Sequence, residues 1–198
     1  MALTQLDIST EYIGEIVESS TSQFTSESRE LNGAPPFGSF VKTLGALPVY
    51  GLVFNVCTHS IEPNRRATAY GLTEQELREE QPQIFELLKT EFEAVIIGYG
   101  DDQGPQQVLP PQPPGIHSFV FPCTESEIKA LTNSGDFLRS ILCGNRLPAD
   151  DLIIASVRNA WAARASDMPY LVGIGKDLCR LIRDDYDRLS SIMRRISQ

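Results

Sequence analysis

Apolar and polar residues alternate with two different periods along this chain, and the change of period divides it. Within TEYIGEIVESSTSQFTSESRELN (10–32), Tyr12, Gly14, Ile16 and Glu18 alternate with Ile13, Glu15 and Val17 before serines 19, 20 and 22 break the run. This predicts two extended segments joined by a polar turn, stopped by Ala34, Pro35 and Pro36. FGSFVK (37–42) predicts a short strand bounded by Gly45 and Pro48. VYGLVFNVC (49–57) is β-branched and aromatic and predicts the strongest strand, with Gly51 marking a bulge or a close backbone approach. Residues 61–66 read as a loop. At Thr73, followed by Glu76, a capping-box pattern opens a helical stretch, and Pro82 restarts it, predicting short helices over 74–80 and 82–90. Strand character returns in FEAVIIGY (92–99). A turn over 100–104, a partly polyproline-like segment VLPPQPP (108–114) and a last strand HSFVFPC (117–123) follow.

From residue 124 the pattern is helical. Thr124 and Glu127 form a second capping box. Ile128 with Leu131, Phe137 with Ile141, and Leu152 with Val157 and Trp161 supply successive apolar faces. Beyond Pro169, Leu171, Ile174, Leu178, Ile182, Tyr186, Leu189, Met193 and Ile196 recur at gaps of 3 or 4, a single helical stripe weakened at its start by Gly173 and Gly175. Two heptads are few for a coiled coil, so the stripe is expected to pack within the molecule, with self-association as the alternative. Consecutive strands without βαβ alternation predict an α+β fold. A small antiparallel β-barrel occupies 1–123, with a helical insertion at about 73–90, and a helical segment occupies 124–198.

Charge sharpens this division. The 198 residues carry a formal charge of −9. Residues 1–36 and 73–94 each net −5, whereas 151–198 net +2. An acidic barrel disfavours coating of nucleic acid and docking on anionic membranes. No stretch approaches the roughly 18 consecutive apolar residues of a membrane span. Residues 1–10 lack a basic start and an apolar run, so the expectation is no secretory leader and a cytoplasmic location with reduced thiols.

Few residues suggest chemistry. Cys57 and His59 fall on one strand face, as do His117 and Cys123 on another, and convergence of the four would make a metal- or thiol-dependent site. The spacing fits core packing better, so no metal, cofactor or catalytic residue is assigned. Asp184, Asp185 and Asp187 lack the glycine and distal glutamate of a calcium loop and read as surface charges within the helical stripe. Asn64, Arg65 and Arg66 form the paired-base loop of the barrel half, which reads as a solvated turn or as a loop suited to a carboxylate-rich partner or a phosphate. Pro111 and Pro113 sit in a stretch suited to a polyproline ligand or to a stiff connector over a sheet edge.

YIGEIVESST, FGSFVK and VYGLVFNV together resemble the HAS-barrel, the small N-terminal barrel of the HerA helicase and the ATP synthase. The longer pattern VYGLVFNVCTHSIEPNRRATAYG, EEQPQIFELLKTEFEAVIIGY and LPPQPPGIHSFVF is similar to stand-alone HAS-barrel proteins of photosynthetic bacteria, over about residues 9–123. In the larger enzymes the resemblance implies a non-catalytic barrel that helps organise a ring while a separate P-loop domain hydrolyses nucleotide. Such a loop is missing here: Tyr170 takes the first glycine position before Gly175 and Lys176, and Asp177 replaces the magnesium-binding hydroxyl. The expected function is therefore a non-enzymatic protein-interaction or assembly module, binding a protein partner or itself, and the resemblance implies an accessory role to a ring ATPase or photosynthetic assembly. Single-stranded nucleic-acid binding is the alternative of another class.

Overall fold

The computed structural model describes residues 12–62, 64–144 and 146–197, so the leader reading of residues 1–10 lies outside the described residues. Within them, period-2 patterning becomes seven strands: β1 (Gly14–Ser19), β2 (Gln23–Ser28), β3 (Phe40–Thr43), β4 (Val49–Ser60), β5 (Leu88–Asp101), β6 (Gly104–Gln106) and β7 (Phe119–Pro122). They run β2-β1-β7-β3-β4-β5, and β2 pairs back onto β5, closing a six-stranded antiparallel barrel. Closure removes the open edges on which a small sheet would otherwise aggregate. β6 extends the same edge of β5 beyond β2, pairing at Tyr99–Asp101 where β2 pairs at Glu91–Val95. The α+β barrel expected from the patterning is thus the fold adopted.

β4 and β5 bend through register shifts at Tyr50/Gly51 and Val53/Asn55. Gly51 is required there. A Cβ at that position would come within 3.1 Å of both the Ala94 methyl and the Phe24 ring.

Alternation along these strands serves two cores. Ile16, Phe24, Val41, Val49, Val53, Phe92, Ala94, Ile96 and Val120 fill the barrel. Phe40, Tyr50, Leu52, Val95 and Ile97 point the other way, into a second core built with the helices. The helices are α1 (Glu74–Glu80), α2 (Glu125–Leu131), α3 (Phe137–Cys143), α4 (Ala149–Ala162), α5 (Met168–Leu181) and α6 (Tyr186–Ile196). Both predicted capping boxes form, at Thr73 with Glu76 and at Thr124 with Glu127.

Three polar or steric contacts hold the helices on the barrel. Asn159 donates to the Gly38 carbonyl (2.8 Å), and Gly38, at φ +81, lies where a Cβ would strike the Ala155 methyl. Lys42 on β3 pairs with Glu127 on α2 (2.5 Å). Gln107, just past β6, accepts from the Phe137 amide (2.6 Å), capping α3, whose own Asp136 does not.

Several boundaries differ from expectation. The second insertion helix is a 3-10 turn over Pro82–Leu87, and β5 begins at Leu88. Thr90 and Phe92 already face inward while Lys89, Glu91 and Glu93 are partly exposed, so period 2 takes over before the end of the helix expected over 82–90. The last strand is shorter than the expected 117–123, running from Phe119 to Pro122. The C-terminal stripe is not one helix: the chain breaks after Leu181 and restarts at Asp185, whose carboxylate accepts from the Arg188 amide. Asp185 is therefore an N-cap rather than a charge within a helix. The stripe folds back on itself: Leu171, Ile174, Leu178, Ile182 and Ile196 enter the second core, Leu189 and Met193 pack against it partly buried, Tyr186 of the stripe is exposed, and Ile192, outside the stripe, is buried instead. Among the described residues no helix is long and apolar enough to cross a membrane.

Gly38→Ala combines left-handed strain with a clash on Ala155 and is expected to lower stability by about 2–4 kcal/mol in urea unfolding. Gly71→Ala, at φ +73 but with open space around it, is expected to cost only about 1 kcal/mol. Equal losses would refute the docking role of Gly38.

Candidate functional site

The two loops singled out from sequence lie at opposite ends of the barrel. Asn64, at φ +67, turns the chain just beyond β4. Arg65 is exposed and pairs with Glu62 (2.9 Å), and Arg66 is exposed beside it. Pro111 and Pro113 are exposed, but their neighbours Pro110 and Pro114 are buried, and Ser19 donates to the Pro114 carbonyl (2.7 Å). The segment is therefore anchored beside the β1–β2 turn, next to Ile96, whose amide donates to the Ser22 carbonyl. The arginine loop leaves from the Ser60↔Leu88 pair, eight residues back along β5, roughly 27 Å away.

Cys57, His59, His117 and Cys123 do not form one cluster. His117 precedes β7 with a left-handed backbone (φ +66), so it does not share a strand face with Cys123. Its Nδ1 pairs with Glu15 (2.6 Å), while His59 Nε2 pairs with Glu91 (3.0 Å). Cys57 is exposed. Burial, with Glu127 nearby, pushes the Cys123 thiol up to about 12. No three His, Cys, Asp or Glu among the described residues are placed to hold a metal ion.

Register creates a feature that the linear pattern hides. Glu15 lies opposite Glu27, Glu27 opposite Glu91, and Glu91 opposite Cys57, so three carboxylates cross the outer barrel wall in one row. Lys89 sits between two of them, 2.5 Å from Glu91 and 3.7 Å from Glu27. Burial raises the Glu91 carboxyl, but hydrogen bonds from Lys89 and His59 outweigh it and hold the group below the ordinary carboxylate value. Glu127 has the same balance: burial raises it, and hydrogen bonds from Lys42 and Thr124 bring it lower.

A cavity at the barrel rim is the second feature. Val95 and Ile96 of β5 form its floor, Val108 and Leu109 one wall, and Cys143 and Leu147 the other, enclosing about 510 Å³. Val108 and Leu109 are 59% and 51% exposed. Among the described residues Arg139 is the charged residue in the lining. Gln107 fixes this wall relative to α3 through its cap on Phe137. The groove is hidden in the linear pattern because 108–114 reads there as one extended, polyproline-like stretch. The signal was there: two large apolar residues stand before prolines in a segment without strand alternation.

No family model matches the chain, and no curated protein matches it.

Two measurements check this geometry. Cys57, Cys143 and Cys179 are expected to react with a thiol reagent in the native protein, and Cys123 only on unfolding, since a thiol near 12 is about 10⁻⁴ ionised at pH 8. Glu91 and Glu127 have folded values below their unfolded ones. Their stabilisation is present above the ordinary carboxylate range and is lost as pH falls through the folded values. Urea midpoints followed from about pH 6 to about pH 2 should fall, and Glu127→Gln should flatten that fall. An unchanged acid limb in the variant would remove Glu127 from the account.

Proposed function

We propose that the protein is a non-enzymatic interaction module on the HAS-barrel plan, and that its rim groove receives apolar side chains of a protein partner. One observation carries this reading: Val108 and Leu109 stand exposed over an apolar cavity whose walls belong to the barrel and to α3. Apolar surface held open in a preformed concavity with a polar edge is the usual character of a protein-binding pocket, because its burial by a partner removes that surface from water. The Gln107 cap and the buried Pro110 and Pro114 fix the wall before a partner arrives, which lowers the ordering cost of binding.

The resemblance supports a role beside a larger assembly, a ring ATPase or a photosynthetic complex, to which this barrel is an accessory. The row formed by Glu15, Glu27 and Glu91 weighs against the nucleic-acid reading, since phosphates would meet carboxylates on that wall.

Affinity capture from the native host tests the proposal. Leu109→Glu should reduce a specifically retained partner by about tenfold, as expected for loss of an anchor in a buried pocket. Leu44→Glu, at an exposed position outside the groove, should leave it unchanged. Equal capture by all three proteins, or none by the unaltered chain, overturns the reading.

A further inference from the structure

The insertion between β4 and β5 is an arm without a core. Among its described residues, 61–62 and 64–87, none is buried. Ile61, Tyr70, Leu72 and Leu87 all stand among the exposed large apolar side chains. α1 carries Glu74, Glu76, Glu79 and Glu80 against Arg78, which stacks on Phe85 of the following turn. Glu74 is taken up by Arg78 and Glu76 by the Thr73 cap. Glu79 accepts a hydrogen bond from the neutral Gln75 amide (3.2 Å), and neither Glu79 nor Glu80, both exposed, has an ion-pair partner among the described residues.

The opposite character appears between α5 and α6. Their outer faces enclose an open trough of about 660 Å³. Val172 and Tyr186 stand in it 53% and 78% exposed, with Leu189 and Met193 along its length. Its charged lining residues are Lys176 and Arg194, with no acid among the described lining residues. Neither cation has an ion-pair partner among the described residues. The neighbouring Arg188 and Arg195, by contrast, are engaged by Asp150 and Asp151.

Length and charge match as well as polarity. α1 over Glu74–Glu80 and the stretch of α5 from Val172 to Cys179 each run roughly 10 Å. The opposed net charges of the two halves are not spent inside the molecule. The ion pair that joins barrel to helices among the described residues, Lys42–Glu127, places a barrel cation on a helix anion, against the trend of both halves.

We infer that the trough between α5 and α6 is the docking site for the acidic arm of a second copy of this chain. Glu79 and Glu80 of one copy face Lys176 and Arg194 of the other. The arm's exposed apolar residues cover Val172 and Tyr186. The contact joins two different surfaces, so copies associate either by reciprocal exchange of arms or head to tail.

Sedimentation of the full chain over a dilution series reads the result. The unaltered protein associates as its concentration rises, and raising salt from about 50 mM to about 500 mM weakens that association. Glu79→Lys with Glu80→Lys, or Lys176→Glu with Arg194→Glu, weakens it about tenfold, because two attractive pairs become repulsive. Mixing the two reversed proteins restores association between them, which no folding defect produces. Should a reversed variant not fold, Glu79→Gln with Glu80→Gln supplies the same comparison at about threefold.

A mass independent of concentration overturns the inference. So does association that both reversals leave intact, or a mixture that does not recover. Leu109→Glu leaves self-association unchanged, so the rim groove and the trough stand or fall separately.

Discussion

The wall formed by β3, β4 and β5 has to be apolar on both faces, and the rest of the molecule follows from that constraint. Val41, Val49, Val53, Ala94 and Ile96 turn into the barrel, while Phe40, Tyr50, Leu52, Val95 and Ile97 turn out beneath the helices. Antiparallel sheets commonly leave one face to water; this one cannot. Five outward apolar side chains demand a cover, and α2 to α6 provide it. The two cores are back to back on one sheet, so a change of volume at Leu52 or Ile97 is transmitted through the strand to residues inside the barrel. Where the cover ends, at the register shift by Phe54, β4 becomes exposed, and the hairpin continues outward as the arm.

Sequence patterning made the architecture legible because it depends on local periods. Both capping boxes, the barrel strands and the helical C-terminal half follow from spacing alone. The apolar start of the run VYGLVFNVC, Val49 to Val53, is the part buried on both faces, whereas Val56 and Cys57 at its end are exposed, a difference that the apolar run does not reveal. Non-local information was invisible. The break between α5 and α6 interrupts no apolar spacing, since Ile182 remains buried at the end of one helix and Tyr186 begins the next. Only the Asp185 cap marks it. Spacing alone permits the Cys and His residues to converge, but the left-handed backbone at His117 takes that side chain off its strand. The acidic row across β1, β2 and β5 is a property of register, with each glutamate unremarkable in its own segment.

Charge is arranged in this protein for what lies outside it. The joint between barrel and helices is mainly apolar, its hydrogen bonds from Asn159 and to Gln107 are uncharged, and among the described residues Lys42–Glu127 is its ion pair, so neither the acid excess of the barrel nor the cations of the helices is consumed there. Acid remains on the outer wall and along the arm, and free cations remain in the trough. Such a distribution steers encounters and fixes orientation more than it adds affinity. The apolar rim groove has the reverse profile: little charge, a fixed wall and surface to bury. The two surfaces are suited to different kinds of contact.

The cap that Gln107 places on α3 bears on the order in which the chain folds. A seven-residue helix without a local cap has no independent stability in water. Its first amide is satisfied by a side chain thirty residues earlier, held at the end of the β5–β6 hairpin. The groove wall beside α3 is then a late product of folding. A chain whose barrel has not closed presents neither that helix nor that pocket, so any partner that reads the groove also reads whether the barrel is complete.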